Sequence, residues 1–248
     1  MNRYTRIVVL TAVVLVLGGC AATQTMIAKK DLDVQSRTST AIFVDPVAKE
    51  RRTIYLDIKS GVMEFDRRKF KQFVTEQFTT ANDKGYRIID DPDEAQFLMV
   101  VYVLNLEKAS PTAAQAALGQ GYQGGAIAAG AAVGGAATRS WGGAAVGGVL
   151  GGAAEMISGA AVKDVTYMLV SDVQIQEKAA KGVMVRRDTR VDTKVSDAGA
   201  SRQTSSEVSN RKEYRTRIVT TANQANLELP AAEELMFKKT AYSMAGFF

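Results

Sequence analysis

Apolar residues recur at two different periods along this chain, and the switches between them mark its elements. Residues 52–58 alternate, with Ile54, Leu56 and Ile58 on one face, which predicts a half-buried strand. Residues 66–84 place Phe70, Phe73, Val74, Phe78 and Ala81 at helical spacing, so an amphipathic helix with a phenylalanine core face is expected. Asp66 can cap its start, Phe65 and Phe70 can form a hydrophobic staple, and Gly85 can close its end. A short strand over 86–89 follows, and residues 96–106 are apolar on both faces, as a central strand is. After residue 163, the alternation of 165–177, 183–195 and 207–220 predicts long antiparallel strands. Residues 179–182 make the first turn between them, and the Ser/Ala/Gly-rich stretch 196–206 makes a looser loop. Arg186, Asp188, Arg190 and Asp192 alternate, so one face there is solvated or lies in a subunit contact. Pro230 opens a final helix with Glu233 and Glu234 in its first turn and Lys238 and Lys239 later, which suits the helix dipole.

The middle of the chain differs in kind. Residues 109–138 and 140–154 carry no charge, and 14 of the 21 glycines lie between Gly119 and Gly159. Flexible linkers are usually polar, whereas this tract holds Ile127, Val133, Val146, Val149, Leu150, Met156 and Ile157. Its glycines repeat at four-residue spacing: Gly121 and Gly125, Gly130 and Gly134, then Gly143, Gly147 and Gly151. Residues four apart share a helix face, and small residues there let another helix approach closely. The pattern predicts two helices, 113–137 and 141–162, joined by a tight turn at Thr138, Arg139 and Ser140. At 1.5 Å per residue these would reach roughly 37 and 33 Å, enough to cross a hydrocarbon layer of ~30 Å. Trp141 and Arg139 fit the headgroup level at the turn. Glu155 either faces a protein-lined or watery interior or reaches the interface at the base. The fold class expected is α+β: a mainly antiparallel sheet with two covering helices, interrupted by a Gly/Ala-rich membrane-type helical hairpin.

The start of the chain is an export signal. Arg3 and Arg6 form a positive region, and residues 7–17 form an apolar run broken only by Thr11, too short to span a bilayer. Leu17, Gly18, Gly19 and Cys20 follow, and their resemblance to a lipobox implies diacylation of the Cys20 thiol, cleavage before it and acylation of the new amine. The covalent lipid, an N-acyl diacylglycerol on Cys20, is the only non-protein group expected. Ala21 follows where an Asp would favour inner-membrane retention, so the mature chain is expected on the outer membrane. The organisation expected is a signal peptide over 1–19, a lipidated tether over 20–30, a domain in two parts over 31–110 and 163–248, and the hairpin over 111–162.

Composition narrows the chemistry. The chain has 31 Lys and Arg against 26 Asp and Glu, a net charge of +5, with the basic residues spread in small clusters such as Arg51-Arg52, Arg67-Arg68-Lys69 and Arg211-Lys212. None is dense or aromatic enough to predict nucleic-acid binding. They read as solvated faces or as contacts to anionic lipid headgroups. With no histidine and one cysteine, Ser-His-Asp and Cys-His nucleophiles, His or Cys zinc sites and disulfides are all excluded. The acidic run from Asp90 to Glu94 could gather Ca²⁺ oxygens but lacks the loop spacing of a calcium site, and Asp-Pro-Asp reads as a turn and helix cap. No catalytic or metal-binding residue is expected, and no enzyme.

Several segments together resemble the TraT family of outer-membrane lipoproteins, known for surface exclusion in bacterial conjugation and for complement resistance. They are RTIYLDIK (52–59), KGYRIIDDPDEAQF (84–97), GYQGGAIAAGAAVGG (121–135), DVTYMLVSDVQIQEK (164–178) and YRTRIVTTANQANL (214–227). The resemblance implies a surface-exposed, homo-oligomeric lipoprotein, ring-like in assembly, that blocks mating contact or DNA entry from related donor cells. It carries the acylated cysteine onto Cys20 and the glycine-rich region onto residues 121–152. The partners implied are the membrane, further copies of the chain and mating-apparatus proteins of donors. A competing expectation is an outer-membrane conduit or envelope-structural oligomer whose hairpins line an opening, with Glu155 facing water.

Overall fold

The computed structural model describes residues 29–81, 85–120, 163–194 and 200–248. Its strands are β1 (Asp33–Thr38), β2 (Thr53–Ser60), β3 (Arg87–Ile89), β4 (Phe97–Ala109), β5 (Asp164–Lys178), β6 (Val185–Lys194), β7 (Ala200–Ser209) and β8 (Arg211–Ala225). Its α-helices are α1 (Arg67–Glu76), α2 (Pro111–Gln120) and α3 (Leu229–Ala245). Six strands form one sheet in the order β1-β8-β5-β4-β2-β3, and β6 and β7 pair separately.

The helix expected after Asp66 forms for the reasons read from its residues. The Arg68 and Lys69 N–H groups donate to Asp66 Oδ1 at 3.0 Å each, satisfying two amides that a helix start leaves unpaired. The Phe65 and Phe70 rings meet edge to face with centroids 5.4 Å apart. The helix widens into a π-turn over Gln77–Ala81, and Gly85 follows at φ 61°, a left-handed conformation that costs glycine little. Its buried face, Phe70 and Val74, lies on the same sheet face as α3. Phe237 of α3 sits among Phe65, Phe70 and Phe73, with centroids at 5.2, 5.0 and 6.5 Å. A second aromatic group, Phe78, Tyr86, Phe97 and Phe248, continues the core toward β3.

β4 and β5 are the long middle strands, and their helix-facing residues Phe97, Met99, Val101, Val103, Leu169, Val173 and Ile175 are buried. β5 pairs β8 without a break from Asp164↔Ala225 to Lys178↔Arg211. β2 runs parallel to both β3 and β4, so the β2-α1-β3 segment is a crossover and the sheet is mixed.

The structure corrects the expected fold class. The described chain is mostly β-sheet with three short α-helices, and no membrane-type hairpin is found in it. Among the described residues no helix is long and apolar enough to cross a membrane. The part of the predicted helix 113–137 that is described belongs to α2, Pro111–Gln120. Ser110 Oγ accepts the Ala113 N–H at 3.1 Å and Pro111 opens the helix. Ala113, Ala114, Ala117 and Leu118 are buried, the last two against Met168, Val170 and Val219 on the sheet face away from α1 and α3. Small apolar residues suit close packing on a sheet as well as packing between helices in lipid. Here the sheet takes the apolar stripe, so the charge-free composition that suggested a bilayer marks a protein interior in this helix. The remainder of the predicted hairpin lies outside the described residues.

Other expectations also change. The stretch 196–206, read as a loop, enters strand β7 from Ala200 onward. Glu233 and Glu234 fall beyond the first turn of α3, and Glu234 instead pairs with Lys238 one turn on, at 2.7 Å.

Candidate interaction surface

The two ends of the sheet differ in their contacts. At one, Lys29 accepts the Ala225 N–H at 3.0 Å and its ammonium donates to Asn223 Oδ1 at 2.7 Å. At the same end Asn226, at φ 54°, donates its N–H to the Lys163 carbonyl at 2.7 Å, and its Oδ1 accepts the Lys163 N–H at 2.9 Å. The chain thus enters the sheet before β1, leaves it after β4 at Ala109 and returns to it at Asp164, all at this end.

The opposite end is charged and tightly tied. The Arg211 guanidinium donates to the carbonyls of Pro92 and Ala95 at 3.1 Å each and of Gln96 at 3.4 Å. Lys178 Nζ donates to the Asp93 carbonyl at 2.9 Å, and Asp91 Oδ1 accepts the Asp93 N–H at 2.8 Å. Burial pulls Arg211 below the usual arginine range, and the nearby Asp93 opposes that shift. The acidic run is therefore a turn whose carbonyls are held by cations, as the turn half of the Asp-Pro-Asp reading anticipated; it caps no helix, since strand β4 follows it at Phe97. Glu177 is only 3% exposed and accepts from the Tyr214 hydroxyl at 3.2 Å and the Asp45 N–H at 3.4 Å. Lys212 pairs with Asp45, and the Arg52 guanidinium lies over the Tyr86 ring, 5.8 Å from its centroid. Burial raises both Tyr86 and Tyr214 above the ordinary tyrosine value, and Glu177 adds to each rise. These contacts tie β5, β8 and the 91–96 turn together and form a platform at this end of the sheet.

From that platform rises a two-stranded arm. β6 and β7 pair from Val185↔Ser209 to Lys194↔Ala200, and ten residues at about 3.4 Å each give it a reach of ~34 Å. Its base is narrow: residues 179–184 on one side, with Gly182 at φ 84°, and Asn210 alone on the other. The Ala179 N–H donates to the Asn210 carbonyl at 2.8 Å. Arg187 pairs with Glu207 across the arm and with Glu213 in β8, where Arg215 also bonds Glu213 at 2.6 Å. Met184 and Val208 are exposed beside the base. Isolated two-stranded ribbons are marginal in water, so an arm of this length is best suited to contact. The sequence placed a strand over 183–195 but read 196–206 as a loop and 207–220 as one strand, so the arm's second strand and the break at Asn210 were missed.

The residues singled out beforehand fall elsewhere. Cys20, Gly121, Gly125, Gly130, Gly134, Trp141, Gly143, Gly147, Gly151 and Glu155 all lie outside the described residues. Among the described residues no group of His, Cys, Asp and Glu could hold a metal ion.

Comparison with known proteins gives consistent matches. The family model described as Enterobacterial TraT complement resistance protein matches residues 31–248. A TraT complement resistance protein of Escherichia coli is 35% identical over 250 residues, covering 99% of each chain. A second from Escherichia coli is 32% identical over 240 residues, covering 96% of each, and one from strain K12 is 32% identical over 96% of this chain and 95% of its own.

Proposed function

The chain belongs to the TraT family, and on that premise we propose that it is an outer-membrane lipoprotein acting in surface exclusion and complement resistance. Cys20 carries the lipid, several copies associate, and the exposed assembly obstructs mating contact or DNA entry from related donor cells. The observation that carries this reading is likeness to a TraT complement resistance protein along 99% of both chains, joined to a lipobox ending at Cys20. Lipid at Cys20 together with attachment of a second acyl chain gives stable anchoring, since one chain alone binds a bilayer only marginally. The arrangement of the ends supports this reading: the chain enters the sheet at Lys29, and the arm begins at the opposite end, after Lys178. The reading assigns no catalytic step, and its work is occlusion and contact.

Mating tests it. Recipients expressing the chain should accept plasmids of the related type less often than recipients lacking it, and should survive serum better. Equal acceptance with the protein present at the surface would remove surface exclusion, and equal serum survival would remove complement resistance.

A further inference from the structure

The main sheet ends in two open edges of similar length. β1 pairs β8 on one side, and among the described residues no strand pairs its other side. β2 is covered at its outer side by β3 only through Thr53, Ile54 and Tyr55, which leaves residues 56–60 without a strand neighbour there among the described residues. Neither edge carries a proline or a bulge, two of the means that blunt an exposed strand, and among the charges they do carry, Arg37 on β1 and Asp57 on β2 are of opposite sign.

We infer that β1 of one copy pairs antiparallel with residues 56–60 of β2 in the next, joining the sheets of neighbouring copies into a continuous belt. This rests on the proposed self-association of the chain and names the surface that performs it. Direction fits first. β1 opposes β8, β8 opposes β5, β5 opposes β4, and β4 runs with β2, so β1 and β2 point in opposite directions within each copy. Copies related by rotation about an axis along the strands keep those directions, and the two different edges then meet as a heterologous contact that can close into a ring.

Register and charge fit next. β1 must stop short of β3, and pairing Thr38 with Leu56 does so. That register sets Arg37 opposite Asp57, Ser36 opposite Ile58, Gln35 opposite Lys59 and Val34 opposite Ser60. Its faces agree: Ser36 bonds Ser243 of α3 at 3.0 Å and Val34 packs on the helix-side core, as do Leu56 and Ile58. Arg37 and Asp57 therefore meet on the other face as opposite charges. Arg37 is exposed and has no ion pair among the described residues, and Asp57 is paired only with the exposed Lys59, at 3.3 Å. A one-residue slip would put every side chain on the wrong face, and a slip of two the other way would drive Arg37 into β3.

Cysteine cross-linking of the full chain in membranes tests the pairing, because Cys20 is the only native thiol and is acylated in the proposed lipoprotein. Directly opposed antiparallel residues lie within disulfide reach. The chain carrying Arg37→Cys and Asp57→Cys together should give a ladder of covalent multimers on mild oxidation, while each single variant and the native chain should not. As a second measurement, Arg37→Asp and Asp57→Arg should each lower the sedimenting size in detergent, and the double exchange should restore it. No ladder and no size change, with the native chain still oligomeric, would overturn the edge pairing and leave self-association standing. A native chain that sediments as a monomer at every concentration would overturn both.

Discussion

Phe237→Ala offers a severe test of the packing. Phe237 is fully buried and its ring is the common neighbour of Phe65, Phe70 and Phe73, so it joins α3 to α1 and to the residue before the Asp66 cap. Removing it deletes the central ring of that junction and leaves a cavity lined by three rings that cannot all collapse inward. The expected cost is about 3–5 kcal/mol, against a total of roughly 5–15 kcal/mol for a folded domain. For a chain of this size that lowers the melting temperature by roughly 6–20 °C, at about 2–4 °C per kcal/mol. Detergent-solubilised protein unfolded by urea and followed by far-ultraviolet dichroism would read the loss as a lower midpoint at constant slope. Phe43→Ala is the matched control: Phe43 is 78% exposed, and its loss should change stability by no more than about 0.5 kcal/mol. A loss under about 1 kcal/mol for Phe237→Ala, or equal losses for the two variants, would refute the aromatic junction as a packed hub.

Four further outcomes are expected. Asp66→Ala should cost about 1 kcal/mol and speed hydrogen exchange at the Arg68 and Lys69 amides, which lose their acceptor; unchanged exchange would mean the cap is not made in solution. Arg187→Ala should hasten tryptic cleavage at Lys181 in the base of the arm while barely moving the melting temperature, and an unchanged cleavage rate would show that its ion pairs do not hold the arm. Tyr86 is held above its ordinary value of 10.0 in the folded chain, so the unfolded chain loses that proton first as pH rises. The contribution of Tyr86 is therefore complete below pH 10 and is lost as pH climbs through the folded value, and Tyr86→Phe should flatten the fall in melting temperature above pH 10. Cys20→Ser should disturb sorting to the outer membrane more than self-association, and a strictly monomeric purified variant would contradict that division.

What could be read from the chain follows from where burial leaves a one-sided pattern. Residues 52–58 and the helix after Asp66 each hide one face, so period two and period 3.6 stood out and their cap and closing glycine could be named. β4 was visible as a run apolar on both faces, and β5 by its alternation. The parallel pairing of β2 with β4 was not legible, because alternation reports burial and is silent on which strand lies alongside. β7 was lost because its Ser, Thr, Gln and Arg residues show no apolar alternation in the sequence, and its backbone pairing with β6 leaves no hydrophobic trace. The Ala-rich start of the supposed hairpin misled because composition names an apolar neighbour without saying whether it is lipid or sheet. The arm's latch could not be foreseen, since Arg187 and Glu213 are brought together only by the turn at Asn210.

The placement of the two ends has a mechanical consequence. A pull applied to the arm and resisted at the start of the chain enters through β5 and β8 at one end of the sheet and leaves through β1 at the other. β1 and β8 are antiparallel and would be drawn from opposite ends, so all six residues of β1 share the load in shear instead of peeling apart one bond at a time. The sheet thus resists in shear any force that runs from the start of β1 to the base of the arm.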